Sequence, residues 1–135
     1  GVVLKLIVRG IFCMFSKNKK FRHPVKAISI VDEYLGHARV FVFHNQGDEK
    51  VFISSPDWMV RNLDHRIEVT CPIFDENIKK VLKTILQIQL SDNVKARELD
   101  NELSNRYARN SEPRKVRSQV DIYNYLHQKS EHLLL

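Results

Sequence analysis

The chain has 135 residues, of which 43% are hydrophobic, and its 22 Lys and Arg residues exceed its 16 Asp and Glu residues to give a net charge of +6 at pH 7. This length is typical of one domain with a core of its own, and no run of 18 apolar residues is present to form a membrane-spanning helix. The positive charge favours an anionic partner such as nucleic acid, a nucleotide, a polyphosphate or a membrane surface, although an ordinary basic protein can carry the same charge.

The first apolar run, residues 2–8, is rich in β-branched side chains and predicts a buried, parallel, central strand. It ends at Arg9 and Gly10. Ligands of α/β folds collect at the carboxyl ends of strands, so Arg9 is either an anion ligand or an ordinary surface arginine. Residues 17–26 contain five cations and no acid. This predicts a basic loop that either captures a polyanion or is a solvated connector.

Residues 25–35 have apolar side chains at helical spacing, Pro24 suits a helix start and Gly36 suits a helix end. The expected order is therefore strand, basic loop, helix and then a strand headed by His37, which is a βαβ unit. His37 and Arg39 are two residues apart at the head of that strand. In an extended segment both side chains point to the same side, so the pair can face one phosphate.

Two apolar segments, residues 38–43 and 50–54, flank a short polar turn and predict a β-hairpin. Residues 54–64 then predict a polar loop, which begins with the sequence SSPDW. Residues 66–71 alternate as a further strand, with Ile67, Val69 and Cys71 on one face. We expect Glu68, beside Arg61 and Arg66, to be an ion-pair strut that orients those arginines and not a general base.

Asp75 can cap a helix whose apolar stripe continues to about Leu90 and predicts core packing. Residues 94–107 are mixed and charged, which indicates an irregular segment with a helical turn. Residues 108–117 are basic again. Residues 118 to about 132 predict a final amphipathic helix. The two cysteines, Cys13 and Cys71, have no metal-ligand spacing and are expected to be buried free thiols in a reducing compartment.

The chain has no zinc-binding spacing, phosphate-binding P-loop, Gly-rich dinucleotide fingerprint or GxSxG elbow. Among its six histidines, His37 alone combines a strand-head position, a preceding glycine and a neighbouring cation. A histidine can exchange a proton with a phosphoryl oxygen near neutral pH, and arginines can hold the phosphate through two hydrogen bonds. The residues alone therefore predict an α/β domain that handles phosphate.

Residues 29–40 (SIVDEYLGHARV) and 54–69 (SSPDWMVRNLDHRIEV) closely resemble the C-terminal domain of bacterial polyphosphate kinases. Residues 6–11, 92–97 and 102–107 fit the same family. The resemblance implies an α/β, phospholipase-D-like fold with a mixed β-sheet flanked by helices. It also implies that residues 1–135 form a single catalytic domain, the second of two such halves in a longer protein.

That family reversibly transfers the γ-phosphate of ATP to polyphosphate through a phosphohistidine, which lies in the upstream half. The resemblance puts the ATP-site residues at Arg9 and His37, with His37 as the catalytic acid/base partner opposite the nucleophile. Arg39, Arg61 and Arg66 are further candidates for phosphate or polyphosphate contacts, with Glu68 orienting them. The basic residues 17–26 and 106–117 would line or steer the polyanion path.

The resemblance implies ATP or ADP as substrate, polyphosphate and the upstream domains as partners, a homo-oligomer, and no specific nucleic acid. It implies Mg2+ in the full enzyme, with no ligand that can be assigned on this chain. The expected location is the cytoplasm, with association at the membrane surface as a second option. The chain without its upstream half is expected to be inactive as a kinase.

One departure bears on an alternative function. True phospholipase D enzymes have a Lys and an Asp at the positions that Arg39 and His44 occupy here, so a dimeric phosphodiesterase is a disfavoured alternative. A non-catalytic polyanion or nucleic-acid module is another. It would need aromatic side chains interleaved with the basic patches, and Phe21 and Tyr107 offer little of that.

Overall fold

The computed structural model describes residues 2–13, 25–109 and 113–131. In chain order its elements are β1 (Lys5–Ile7), β2 (Lys26–Ile30), β3 (Val40–Phe43), a 3-10 turn (Asn45–Gly47), β4 (Lys50–Ser54), α1 (Val60–Leu63), β5 (Thr70–Ile73), α2 (Glu76–Leu90), β6 (Ala96–Glu98) and α3 (Ser118–Glu131). The chain divides into two compact units, residues 1–35 with 87–135 and residues 36–86. Residues 17–24 of the predicted basic loop, and residue 132, lie outside the described ranges.

The first unit contains a mixed sheet with the strand order β1-β2-β6. β1 and β2 are parallel, with Leu6 opposite Ala27, whereas β6 is antiparallel to β2, with Arg97 opposite Ser29. Ala27 and Ala96 are both buried. Their small side chains occupy the part of this sheet that is best shielded from water.

The helix predicted for residues 25–35 is wrong, because residues 26–30 form the central strand β2. A central strand is half-buried on both faces, and apolar residues on both faces can imitate helical spacing over a short window. The β-branched Ile28 and Ile30 favour the strand, and pairing with β1 and β6 satisfies its backbone groups. The predicted order with a helix before His37 is therefore replaced by a strand that runs parallel to β1.

The second unit contains the antiparallel sheet β3-β4-β5. The predicted hairpin is confirmed: Phe41 pairs with Phe52, and Val51 is buried at 1% exposure. The turn contains Gly47 at φ +99°, a backbone conformation that glycine tolerates without a steric penalty.

The strand predicted at residues 66–71 is shifted, because β5 begins at Thr70 and continues to Ile73. Before it, Val69 N donates to Ser55 Oγ at 3.0 Å and Ser55 N donates to Val69 O at 2.9 Å. A side-chain hydroxyl thus takes part in holding this segment. Ile67 is completely exposed, and Val69 is 59% exposed, so the predicted apolar face does not enter a core of the described residues.

Both long helices are confirmed. Asp75 Oδ1 accepts hydrogen bonds from Asn77 N at 2.8 Å and Ile78 N at 3.0 Å, so it caps α2 as predicted. The apolar stripe of α2 is only half-buried, and Ile78 is 50% exposed. The irregular segment predicted for residues 94–107 contains the short strand β6.

Buried Asp92 organises the chain between α2 and α3. Its Oδ1 accepts from the backbone N–H groups of Val94, Lys95 and Ala96, and its Oδ2 accepts from Ser118 N at 2.8 Å. Burial raises the pKa of Asp92, but its hydrogen bonds, first that from the Ser118 side chain and then those from the backbone, outweigh burial and lower the pKa. The carboxylate therefore fixes the start of β6 and the start of α3 together.

The cysteines are free, as predicted, but both are exposed and not buried. Cys71 lies in β5, whose residues 70–72 are exposed. No helix in the described parts of the chain is long and apolar enough to cross a membrane.

Candidate phosphate-binding site

His37 and Arg39 lie at the entry to β3. Arg39 O accepts a hydrogen bond from Ser54 N at 2.9 Å, so the pairing with the β4 side of the hairpin already fixes the backbone here. The two side chains lie on the same side, as their spacing predicts, and a terminal guanidinium nitrogen of Arg39 contacts His37 Nε2. The hairpin therefore presents an imidazole and a guanidinium as one pair.

The chemistry of the two groups gives this contact a direction. A guanidinium can only donate hydrogen bonds, so Arg39 is the donor and His37 Nε2 the acceptor. An anion that takes over the Arg39 donor would leave His37 Nε2 without this partner.

Asp57 fixes the other side of Arg39. Its Oδ1 accepts from Arg39 Nε at 2.9 Å, and its Oδ2 lies 3.9 Å from a terminal nitrogen of Arg61. The hydrogen bond from Arg39 is the main reason that the pKa of Asp57 is lowered. One carboxylate thus links two of the arginines predicted to contact phosphate.

Trp58, the next residue, stacks on Phe41 of β3 with ring centroids 5.4 Å apart and an angle of 25° between the planes. Its side chain is nevertheless 73% exposed. The stack holds the loop that carries Asp57 against the strand that follows Arg39.

Glu68 lies in a separate hydrogen-bonded group. One carboxylate oxygen contacts the Ser55 hydroxyl, and the other accepts from Asn62 Nδ2 at 2.8 Å. These bonds, with the one from Ser55 first, lower the pKa of Glu68. Asn62 is 4% exposed, and its Oδ1 is buried without a hydrogen-bond partner. Glu68 therefore orients the loop and α1 directly, while Arg61 is paired with Asp57.

The structure brings together His37, Arg39 and Arg61 through Asp57. Arg66 is exposed before β5, and Arg9 follows β1 in the first unit. Sequence reasoning gave no role to Asp57, Ser55 or Asn62. The signal for Ser55 and Asp57 was the polar SSPDW turn, which follows the strand paired with β3, and Asn62 lies further along the same polar loop.

Much of the basic segment 106–117 is paired within the first unit. Arg106 lies 3.4 Å from Asp100, Arg114 lies 3.8 Å from Asp121, and Arg117 contacts Asp32 at 2.7 Å. These cations already have carboxylate partners, so any role as the wall of a polyanion path would require them to exchange those partners.

The described residues contain no group of three or more His, Cys, Asp and Glu side chains that could hold a metal ion. Asp57 is held by arginines, and Glu68 by Ser55 and Asn62. These residues do not fit a magnesium site by themselves.

Residues 1–119 match the family model described as polyphosphate kinase C-terminal domain 2. The chain is 48% identical over 126 residues to a polyphosphate kinase of Escherichia coli (strain K12), and that alignment covers 93% of this chain and 18% of the relative. It is 49% identical over the same length to a polyphosphate kinase of Vibrio cholerae, with equal coverage.

A crystal structure of polyphosphate kinase from Porphyromonas gingivalis superimposes with a TM-score of 0.91 at 46% identity, over 97% of this chain and 20% of that one. The predicted α/β, phospholipase-D-like fold class is thereby confirmed. Here its strands are divided between one mixed and one antiparallel sheet. The chain spans about a fifth of the length of the relatives that it matches.

Proposed function

This chain belongs to the polyphosphate kinase C-terminal domain 2 family, and from that premise we propose that it supplies one side of the active site for reversible phosphoryl transfer between ATP and polyphosphate. It would act as the second phospholipase-D-like half of the enzyme. The phosphohistidine nucleophile would lie in the preceding half. Residues 1–135 would then be one catalytic domain, completed by the upstream domains of the same chain.

The observation that carries this proposal is the array of His37, Arg39 and Asp57. Arg39 is held through Nε by Asp57, and one of its terminal nitrogens contacts His37 Nε2. A planar guanidinium in a fixed position can bind a phosphoryl group through two hydrogen bonds and stabilise the charge that develops during transfer. The adjacent imidazole supplies a group that exchanges protons near neutral pH.

The transfer can be followed through these groups. The nucleophilic histidine of the other half attacks the γ-phosphorus, the bond from that phosphorus to the β–γ bridging oxygen breaks, and the electron pair leaves with ADP. Arg39 would hold a phosphoryl oxygen in place of His37. The released imidazole would first take up a proton from water at Nε2 and then donate it to the leaving oxygen; in the reverse direction it would accept that proton.

The remaining assignments extend this proposal. Arg9 and His37 would contact the phosphates of ATP, and Arg61 and Arg66 would contact the transferred phosphate or polyphosphate. Glu68 would keep the loop that carries Asp57 in place through Ser55 and Asn62. The full enzyme would be a homo-oligomer in the cytoplasm, either free or associated with the membrane surface. It would use Mg2+, bound by ligands other than Asp57 and Glu68.

The test is ATP-dependent polyphosphate synthesis by the full-length protein that contains this chain. We expect His37→Ala to abolish synthesis while the melting temperature stays within a few degrees of the unsubstituted protein, because His37 is exposed and has no core contacts. His127→Ala, which removes an exposed histidine of α3, is the matched control. Near-normal turnover of His37→Ala would remove His37 from the mechanism.

A further inference from the structure

Asp57 contacts two of the arginines that are predicted to bind phosphate. Its two oxygens face Arg39 at 2.9 Å and Arg61 at 3.9 Å. We propose that Asp57 is a positioning residue for phosphoryl transfer: it locks Arg39 in the orientation that presents a guanidinium to both His37 and the phosphate. This inference rests on the function proposed above and adds a residue whose action runs through Arg39.

The geometry of the contact supports positioning. Asp57 binds the Nε–H of Arg39 and leaves the terminal nitrogen for His37. An arginine side chain has many rotamers, and a hydrogen bond at Nε fixes the plane of the whole guanidinium. The Arg39 side chain is 24% exposed and that of Asp57 is 36% exposed, so the pair is partly shielded from water. Burial of this degree strengthens the attraction between them.

The charges in the group make a second argument. Arg39 and Arg61 carry two positive charges, and Asp57 offsets one of them. Replacing Asp57 by a neutral residue would therefore leave a more positive site that still attracts ATP, but with an Arg39 that is no longer fixed. A misplacement of about 1 Å at a catalytic group can lower turnover roughly 100-fold. We therefore expect kcat to fall without a rise in KM.

The loop that carries Asp57 is itself held on both sides. Trp58 stacks on Phe41, and Ser55 bonds with Glu68 and with the backbone of Val69. The loop that carries the Asp57 carboxylate is therefore held by contacts that do not involve Asp57. The contribution of Asp57 to catalysis can be separated from the folding of that loop.

The experiment measures kcat and KM for ATP in the full-length enzyme with Asp57→Asn and with Asp57→Glu, beside Glu49→Gln. The control removes the carboxylate that pairs with Lys83 at 2.9 Å in the same unit, away from His37. We expect Asp57→Asn to lower kcat roughly 10- to 100-fold, with KM for ATP unchanged or lower. Asp57→Glu, which keeps the charge, should recover part of the loss, and Glu49→Gln should match the unsubstituted enzyme.

A double-mutant cycle with Arg39→Gln separates positioning from general stability. If Asp57 acts through Arg39, adding Asp57→Asn to Arg39→Gln should change kcat less than threefold. The inference would be overturned if the losses of kcat from the two substitutions multiplied in the double mutant. It would also be overturned if the kcat of Asp57→Asn stayed within twofold of normal, or if KM for ATP rose at normal kcat. A failure of the proposed function itself would be distinguished by full activity of His37→Ala.

Discussion

Arg117 donates two hydrogen bonds to Asp32, from Nε to Oδ2 at 2.8 Å and from a terminal nitrogen to Oδ1 at 2.7 Å, although 85 residues separate them. The Asp32 side chain is 1% exposed, and Lys95 lies 3.6 Å from Oδ1. This arrangement ties the segment after β2 to the start of α3. It makes Asp32 a structural carboxylate whose charge the first unit requires.

The first prediction concerns acid stability. The hydrogen bond from Arg117 is the main cause that lowers the pKa of Asp32 from 3.8 to about 2. A carboxylate with a lowered pKa in the folded state stabilises the fold above its unfolded pKa, and this contribution is lost as the pH falls. We therefore expect the contribution of Asp32 to be complete above about pH 5 and to disappear between roughly pH 4 and pH 2.

Urea denaturation of the chain and of Asp32→Asn at several pH values checks this prediction. The stability difference between the two should be largest at neutral pH and should shrink as the pH approaches 2. Asp64→Asn, which replaces an exposed carboxylate in the second unit, should give a small difference with no such trend. An Asp32→Asn difference that is constant from pH 7 to pH 2 would contradict the assignment.

The second prediction concerns Asp92, which is 2% exposed and accepts four backbone hydrogen bonds. Asp92→Ala leaves those buried N–H groups without a partner, so we expect the free energy of unfolding to fall by about 3 kcal/mol. Asp48→Ala, at an exposed ion pair with Lys50, should have a much smaller effect on the free energy of unfolding. Equal losses in urea denaturation would show that Asp92 is not an anchor.

The third prediction concerns the hairpin turn. Gly47 has φ +99°, which a residue with a Cβ adopts only with strain, although no atom would obstruct that Cβ. We expect Gly47→Ala to lower the free energy of unfolding by about 1 kcal/mol. Gly10→Ala, at an equally open position without a positive φ, isolates the effect of the backbone angle. If both substitutions have the same effect on thermal stability, the turn is not the cause.

The fourth prediction concerns the chain by itself. On the proposed function the nucleophile would lie in another half of the enzyme, so the 135-residue chain should show no ATP-dependent polyphosphate synthesis. Synthesis by the purified chain, measured as acid-insoluble polymer from labelled ATP, would refute the division of the site. Cleavage of bis(p-nitrophenyl) phosphate by the same sample would instead support the phosphodiesterase alternative.

Local patterns predicted the fold where one signal dominated. The cap at Asp75 and the apolar stripe after it located α2, and the polar turn between two alternating runs located the hairpin. The prediction failed at residues 26–30, where the pairing of β2 with β1 and β6 comes from residues distant in sequence. It also failed at Ile67, because alternation cannot show that the segment before β5 is held by Ser55 and not by a strand ladder.

Local patterns likewise predicted some contacts of the candidate site and missed others. The spacing of His37 and Arg39 was enough to predict that their side chains lie together. Asp57 was missed as a partner of Arg39 because it is 18 residues away and approaches across the hairpin. The position of Arg9 at the end of the first apolar run left it either an anion ligand or a surface arginine. The family resemblance selected it for ATP binding, and that role stays a prediction.

The stacking of Trp58 on Phe41 has a practical consequence. Trp58 is the single tryptophan of the chain, and its side chain is largely exposed to solvent. The neighbouring residue, Asp57, forms an ion pair with Arg39. The tryptophan fluorescence of the chain therefore arises from one place, beside the guanidinium that would bind a phosphate. Trp58 is thus an intrinsic fluorescent probe of that loop, so titrations with nucleotides or phosphate polymers can be followed without an attached dye.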